Sequence, residues 1–163
     1  MDSRHAVTMP PARPTVKPAR PGRCPPSGVV GLIAMREAIT PPGTLPDRPF
    51  SPGLRDGSLL AISGQVAVDE EWQTVAKGDF EAQARQVFDN IARVLALAGA
   101  DFSHVAELTY YLVDLDDFPV LDRVRRDYLV SAPFPASTAV EVPRLLDPDW
   151  LLEVSAVAIV PDA

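Results

Sequence analysis

The side chains in this chain that could do chemistry are few and scattered. Cys24 is the only cysteine, and His5 and His104 are the only histidines. A disulfide framework, a cysteine-ligated metal and a multi-histidine metal centre are therefore excluded within the chain. Carboxylates and hydroxyls remain. Glu153 stands in the last apolar run, "LLEVSAVAIV". Acid–base work there would need a pKa raised by burial or by a nearby carboxylate such as Asp122. Taken alone, Glu153 reads as an ordinary carboxylate on a partly solvated strand face. Ser137 and Thr138 lie in "FPASTAVEV", where small hydroxyls commonly satisfy backbone groups as a turn enters a strand. A serine nucleophile would need an adjacent base. His104 begins a different strand, no motif links it to Ser137, and it reads as a surface residue. The acidic run Asp114-Leu115-Asp116-Asp117 reads as helix capping and solvation rather than a cation site. Trp72 and Trp150 read as loop or rim packing residues.

The elements that must position these residues are legible from periodicity. Over residues 79–98, Phe80, Ala84, Val87, Phe88, Ile91, Val94, Leu95 and Ala98 keep helical spacing. Asp79 suits the N-cap and Gly99 the position just past the C-terminus. Asp56-Gly57 signals a hairpin between two extended segments, and Gly64 marks a bulge or a close backbone approach in the second. "HVAELTYYLV", 104–113, is rich in β-formers and reads as a central strand, with Tyr110 and Tyr111 on opposite faces. Asp117 can cap a second helix with Pro119 in its first turn. Phe118, Leu121, Val124 and Tyr128 form its apolar face, and Pro133 and Pro135 stand as its stop. Strands near 137–142 and 151–160 close the chain. The predicted order is β-β-α-β-α-β-β, an α+β fold with two helices on one face of a mixed sheet. Alternate residues of the last strand are apolar on both sides, and one layer of helices covers one side only. Association through the open face is expected.

Composition bounds the rest. The 163 residues are 47% apolar and 23% charged, as in ordinary globular proteins. Residues 1–34 hold seven prolines and a formal charge of +4, and read as a disordered Pro/Arg-rich arm. Met35 is an alternative chain start, which would make the upstream segment a mis-assigned leader. Residues 35–163 carry 10 basic and 21 acidic side chains, a formal −11. That charge disfavours nucleic-acid binding by the folded part. "SGVVGLIAM" is too short to span a bilayer and lacks a small-x-small cleavage pattern, so the expected location is cytoplasmic, with no membrane partner.

Several stretches carry a resemblance that runs from about Met35 to Val160. "RPFSPG", "SLLAISGQVAVD", "ARQVFDNIARVLALAGADFSHVAELTYYLVDLDDF" and "FPASTAVEV…LLEVSAVAIV" resemble the RidA family, also called YjgF/YER057c/UK114. The resemblance implies a chorismate-mutase-like fold and a homotrimer whose open sheet faces pack into a central barrel. It implies ligand clefts between subunits and hydrolysis of enamines or imines to a 2-oxo acid and ammonia, without metal or organic cofactor. It assigns Glu153 to water activation or proton transfer. It places Phe50, Ser63, Gly64, Asp122, Ser137 and Ala139 around the cleft. Deaminating members usually carry a carboxylate-binding arginine where this chain has Ser137. Phe50 replaces a common tyrosine, Asp122 a common asparagine and Ala139 a common cysteine. Arg144 matches a basic residue common in the family, and it lies seven positions, roughly 20 Å, along an extended chain from Ser137.

Three functions follow as expectations. The first is a cofactor-independent, deaminase-like hydrolase whose substrate lacks the usual 2-imino carboxylate or binds it differently. The second is a non-catalytic trimer that binds a small molecule at its subunit interfaces. The third, suggested by family naming and opposed by the acidic body, is an endoribonuclease.

Overall fold

The computed structural model describes residues 36–45 and 48–161. The expectations for residues 1–34, including the arm and the alternative start, lie outside the described residues. The chain forms β1 (Glu37–Ile39), β2 (Gly53–Asp56), β3 (Leu59–Gln65), α1 (Phe80–Leu97), β4 (Val105–Leu112), α2 (Phe118–Tyr128), β5 (Ala136–Glu141) and β6 (Leu152–Ile159). The six strands make one mixed sheet in the order β1-β2-β3-β6-β4-β5. Only β4 and β5 run parallel, as a connection through α2 requires. The α+β class, the single mixed sheet and the two helices agree with the sequence reading. The short β1 is an addition: three residues with no apolar alternation gave no strand signal.

Local chemistry explains the boundaries. The β2–β3 hairpin closes with Asp56 opposite Leu59, and Gly57 holds φ +61° in the two-residue loop. That places Gly at the first loop position, as a type II′ turn demands. Asp79 caps α1 by accepting from the Ala82 amide at 3.1 Å. Gly99, at φ +71°, takes the left-handed position that ends the helix. Asp117 occupies the N-cap position of α2 without a side-chain cap bond, and Asp114 instead caps the short 3₁₀ turn before it, accepting from the Asp116 amide. α2 ends at Tyr128, well before Pro133.

The core lies between the helices and one sheet face. Leu60 and Ile62 of β3, Leu108, Tyr110 and Leu112 of β4, and Leu152, Val154, Ala156 and Ala158 of β6 point into it. They meet Val87, Phe88, Ile91 and Val94 of α1 and Leu121 and Val124 of α2. Phe88 stacks on Tyr128 with ring centroids 4.8 Å apart, which ties the two helices together. Among the described residues the other sheet face has no covering layer. Leu54, Leu59, Val140 and Ile159 are exposed large apolar residues there, beside Ala61, Thr109, Tyr111, Ser155 and Val157. Among the described residues no helix is long and apolar enough to cross a membrane.

Candidate functional site

Glu153 follows Leu152 and precedes Val154, both buried on the helix side, so β6 alternation turns its carboxylate the other way. The carboxylate lies over Gly64. The β3–β6 register slips between Ile62 and Gln65, placing the bulge at Gly64. A Cβ on Gly64 would collide with Glu153 Oε1. Glycine here leaves space for the carboxylate rather than serving a left-handed backbone, since φ at this position is not in the left-handed region. Among the described residues no hydrogen-bond donor reaches the Glu153 carboxylate, and burial alone pushes its pKa up. Asp122 is not a cause of that shift, so of the two sources anticipated for a raised pKa only burial acts within one chain.

Gly64 and Glu153 open into a cavity of about 140 Å³. Phe50 stands on its wall, and Trp72, Trp150 and Leu146 supply further apolar surface. Trp72 holds φ +58° at the tip of a turn whose Asp69 side chain accepts from the Glu71 and Gln73 amides at 3.0 and 2.8 Å. Trp150 Nε1 donates to Thr74 Oγ1 at 3.0 Å, fixing the opposite rim. Arg93 brings a cation to the cavity wall, 3.7 Å from Glu70 Oε1. Ser63 stands behind the wall. Its hydroxyl donates to Ser51 O at 2.7 Å and its amide to Pro52 O at 2.9 Å, which holds the Phe50 segment against the bulge.

Two buried polar residues of α1 hold the remaining walls. Asn90 Nδ2 donates to Val66 O and Val68 O, each at 3.0 Å. Gln83 Nε2 donates to Asp149 O at 2.8 Å, and Gln83 Oε1 accepts from the Leu151 amide at 2.9 Å. The sequence reading passed over both. The available signal was their position: each lies three residues after one stripe member and four before another, polar groups on an apolar face.

The other sequence-predicted site residues gather elsewhere. Ser137 pairs with Leu108 and Ala139 with Tyr110 in the parallel β4–β5 ladder, so both lie on the helix-facing side of the sheet. Ser137 is exposed, at the sheet edge, and Ala139 packs partly against the core. Asp122 reaches this region from α2, paired with Arg125 and Arg126. These two guanidiniums, Arg126 first, hold its carboxyl below the usual carboxylate range. Arg125 also donates to Ser137 Oγ at 3.2 Å. The sequence reading set Arg144 aside as too distant to replace the missing cation; the structure places Arg125 at Ser137. Its signal was again stripe spacing, four residues after Leu121 and three before Tyr128. Phe50, Gly64 and Glu153 thus form one group and Asp122, Ser137 and Ala139 a second, on opposite faces of the sheet. Among the described residues no group of three or more His, Cys, Asp or Glu side chains is arranged to hold a metal ion.

One sheet with two helices on one face, a bulge glycine under a strand carboxylate and an open second face define a chorismate-mutase-like α+β protein. The Endoribonuclease L-PSP family model matches residues 43–160, and the chain belongs to that family, the RidA/YjgF group. The chain is 38% identical over 125 residues to a RutC family protein of Pyrococcus horikoshii, covering 76% of this chain and 98% of the relative. It is 34% identical over 113 residues to the 2-iminobutanoate/2-iminopropanoate deaminase of Salmonella typhimurium, covering 68% and 87%. Among solved structures it is similar to RidA of an Antarctic Psychrobacter, with TM-score 0.66 and 31% identity over 77% of this chain and 98% of that one.

Proposed function

We propose that the protein is a deaminase-like hydrolase of small enamines or imines, with Glu153 as its acid–base group. The observation that carries this reading is the carboxylate of Glu153, half-buried, free of hydrogen-bond donors and seated over Gly64 at the wall of an apolar cavity. Burial raises the proton affinity of such a group, so it can take a proton from water and return it to nitrogen. In the reaction, water adds to the C=N carbon as Glu153 accepts a proton. That proton passes to the nitrogen and gives a carbinolamine; Glu153 then takes the hydroxyl proton and delivers it to the nitrogen as the C–N bond breaks, and ammonia leaves with a carbonyl compound behind. An enamine first takes a proton on carbon to become the imine. The similarity to an iminobutanoate/iminopropanoate deaminase supports this chemistry.

The working site is a cleft between subunits of a homotrimer. Support comes from the separation of the two residue groups on opposite sheet faces, so a neighbouring copy is needed to bring them together. The uncovered apolar face supplies the surface for that association. Residues 35–163 form the functional domain. Their −11 charge argues against RNA as substrate. Ser137 in place of an arginine points to an unusual substrate, a question that Arg125 reopens.

The test is ammonia release from a panel of imines and enamines, carboxylated and neutral, generated in situ. Turnover falling by about 10²-fold or more in Glu153→Gln supports the reading. No turnover of any panel member, or turnover indifferent to Glu153, overturns it.

A further inference from the structure

The chain has two tryptophans, and both line the cavity over Gly64 and Glu153. Neither belongs to the hydrophobic core or to the half-buried apolar residues packed against it. Phe50 and Leu146, on the same walls, are 49% and 93% exposed. The aromatic contacts of the protein join Phe88, Phe102, Tyr110 and Tyr128. Among the described residues no aromatic ring packs on Trp72, Trp150 or Phe50, so their faces are unspent. The polar side chains on the walls are engaged elsewhere. Gln65 donates to Ser63 O, Asn90 donates to Val66 O and Val68 O, and Arg93 pairs with Glu70. Glu153 is the exception, with no donor on its carboxylate.

Both tryptophans are held in place, one of them under strain. Trp72 sits at φ +58°, a left-handed backbone that a bulky side chain adopts only under constraint. Asp69 supplies the constraint: its carbonyl accepts from the Trp72 amide at 3.2 Å, and its carboxylate accepts from the amides on either side. A bridge between Val68 and Thr74 closes the turn. Thr74 in turn fixes the polar edge of Trp150 by accepting from its indole N–H. One strained turn therefore positions both rings and gains no core burial from either. That marks the rings as a built surface rather than packing.

We propose that Trp72, Trp150 and Phe50 form a binding site for a single aromatic ring, with Leu146 on its rim. The volume fits: the cavity measures about 140 Å³, and apolar cavities of roughly 150 Å³ take up benzene. The chemistry fits as well, since unspent ring faces favour offset or edge-on contact with another ring. Glu153 lines the same cavity, so a ring held there presents its attached group to the carboxylate. That this group is a C=N carbon rests on the hydrolase reading above; the ring site does not. On that reading the substrate is an aryl or arylalkyl imine rather than a short aliphatic one.

Because the chain has no other tryptophan, fluorescence excited beyond the tyrosine band reports on this cavity alone. The experiment titrates the full chain with three neutral probes: benzyl alcohol, cyclohexylmethanol and 1-propanol. Benzyl alcohol should shift the emission saturably and bind at least about tenfold tighter than 1-propanol, which buries less apolar surface. It should also bind tighter than cyclohexylmethanol, which has no ring face to offer. Trp72→Gly suits a left-handed backbone, so its melting temperature should stay close to the parent's. Its affinity for benzyl alcohol, read through Trp150, should fall at least about fivefold. Leu146→Asp alters an exposed residue and should also weaken binding, which keeps the test alive if Trp72→Gly does not fold. No saturable shift, cyclohexylmethanol binding as tightly as benzyl alcohol, or affinity indifferent to both variants would overturn the site. In the ammonia assay, the imine made in situ from benzylamine should be favoured at least about tenfold in kcat/KM over that from butylamine. Trp72→Gly should narrow that ratio. Turnover favouring the butylamine product would overturn the substrate assignment while leaving the hydrolase reading intact. Saturable benzyl alcohol binding without turnover of any imine would sink the hydrolase reading and leave the ring site standing.

Discussion

Glu153 and Gly64 act as one unit, and the substitution that separates them is conservative. The three atoms nearest to a methyl group on Gly64 all belong to the flexible Glu153 side chain. Gly64→Ala should therefore fold normally, with a melting temperature close to that of the parent. Its turnover should fall at least about tenfold because the carboxylate is pushed aside. Adding Gly64→Ala to Glu153→Gln should produce no further loss, since both remove the same function. The pH dependence has a definite sign. Burial raises the folded-state pKa of Glu153, so between its unfolded and folded values the folded protein binds more protons. Its contribution to stability then declines as pH rises through that window. Glu153→Gln should raise the melting temperature near neutrality, and the gain should disappear below the ordinary glutamate range. Thermal scans across pH would show it, and a gain persisting unchanged at acid pH would contradict a buried, charged Glu153.

At the scale of elements, α1 carries the cavity. Its apolar stripe anchors it on the sheet, and Gln83 and Asn90 within that stripe grip the segments around residues 149–151 and 66–68. Replacing Asn90 with Leu strips Val66 O and Val68 O of a shared donor and should cost about 1–3 kcal/mol. Hydrogen exchange should quicken around residues 66–75 ahead of the β6 core. The ends and face of α1 were readable because Asp79, Gly99 and a 3.6-residue period all agree. The helices' polar contributors were not, because periodicity ranks residues by hydropathy, and Gln83, Asn90 and Arg125 appear as exceptions to a pattern. Arg125 has a local partner in Asp122 three residues earlier, but the backbone groups that Gln83 and Asn90 hold, and the Ser137 hydroxyl beside Arg125, are connected to them by no local rule. Glu153 and Gly64 were individually legible through the resemblance, but their contact required the bulge register. The early stop of α2 at Tyr128 escaped because Pro133 and Pro135 mark where a helix cannot continue, not where it must end.

For the whole molecule, the open sheet face is the decisive surface. Leu59 and Ile159 face each other there across the β3–β6 ladder, 45% and 52% exposed, with Val157 two residues away. Light scattering should show a particle three times the 17.6 kDa chain mass. Val157→Asp places a charge in that face and should yield monomers that keep native circular dichroism. Those monomers should lose turnover although Glu153 and Arg125 are untouched. A variant that remains trimeric, or a wild-type chain that is monomeric at micromolar concentration, would contradict association through this face.

The placement of Glu153 and Ser137 on opposite faces of one sheet has a genetic consequence. In the closed ring of three proposed above, every cleft would take Glu153 from one chain and the Ser137–Arg125 group from the next. Chains carrying Glu153→Gln and chains carrying Arg125→Met would each be inactive alone. Co-expressed, any mixed ring contains one cleft in which both contributing halves are wild type. Random assembly in equal amounts then restores about a quarter of the parental sites. Two dead alleles would complement each other, whereas a single chain bearing both changes would rescue neither.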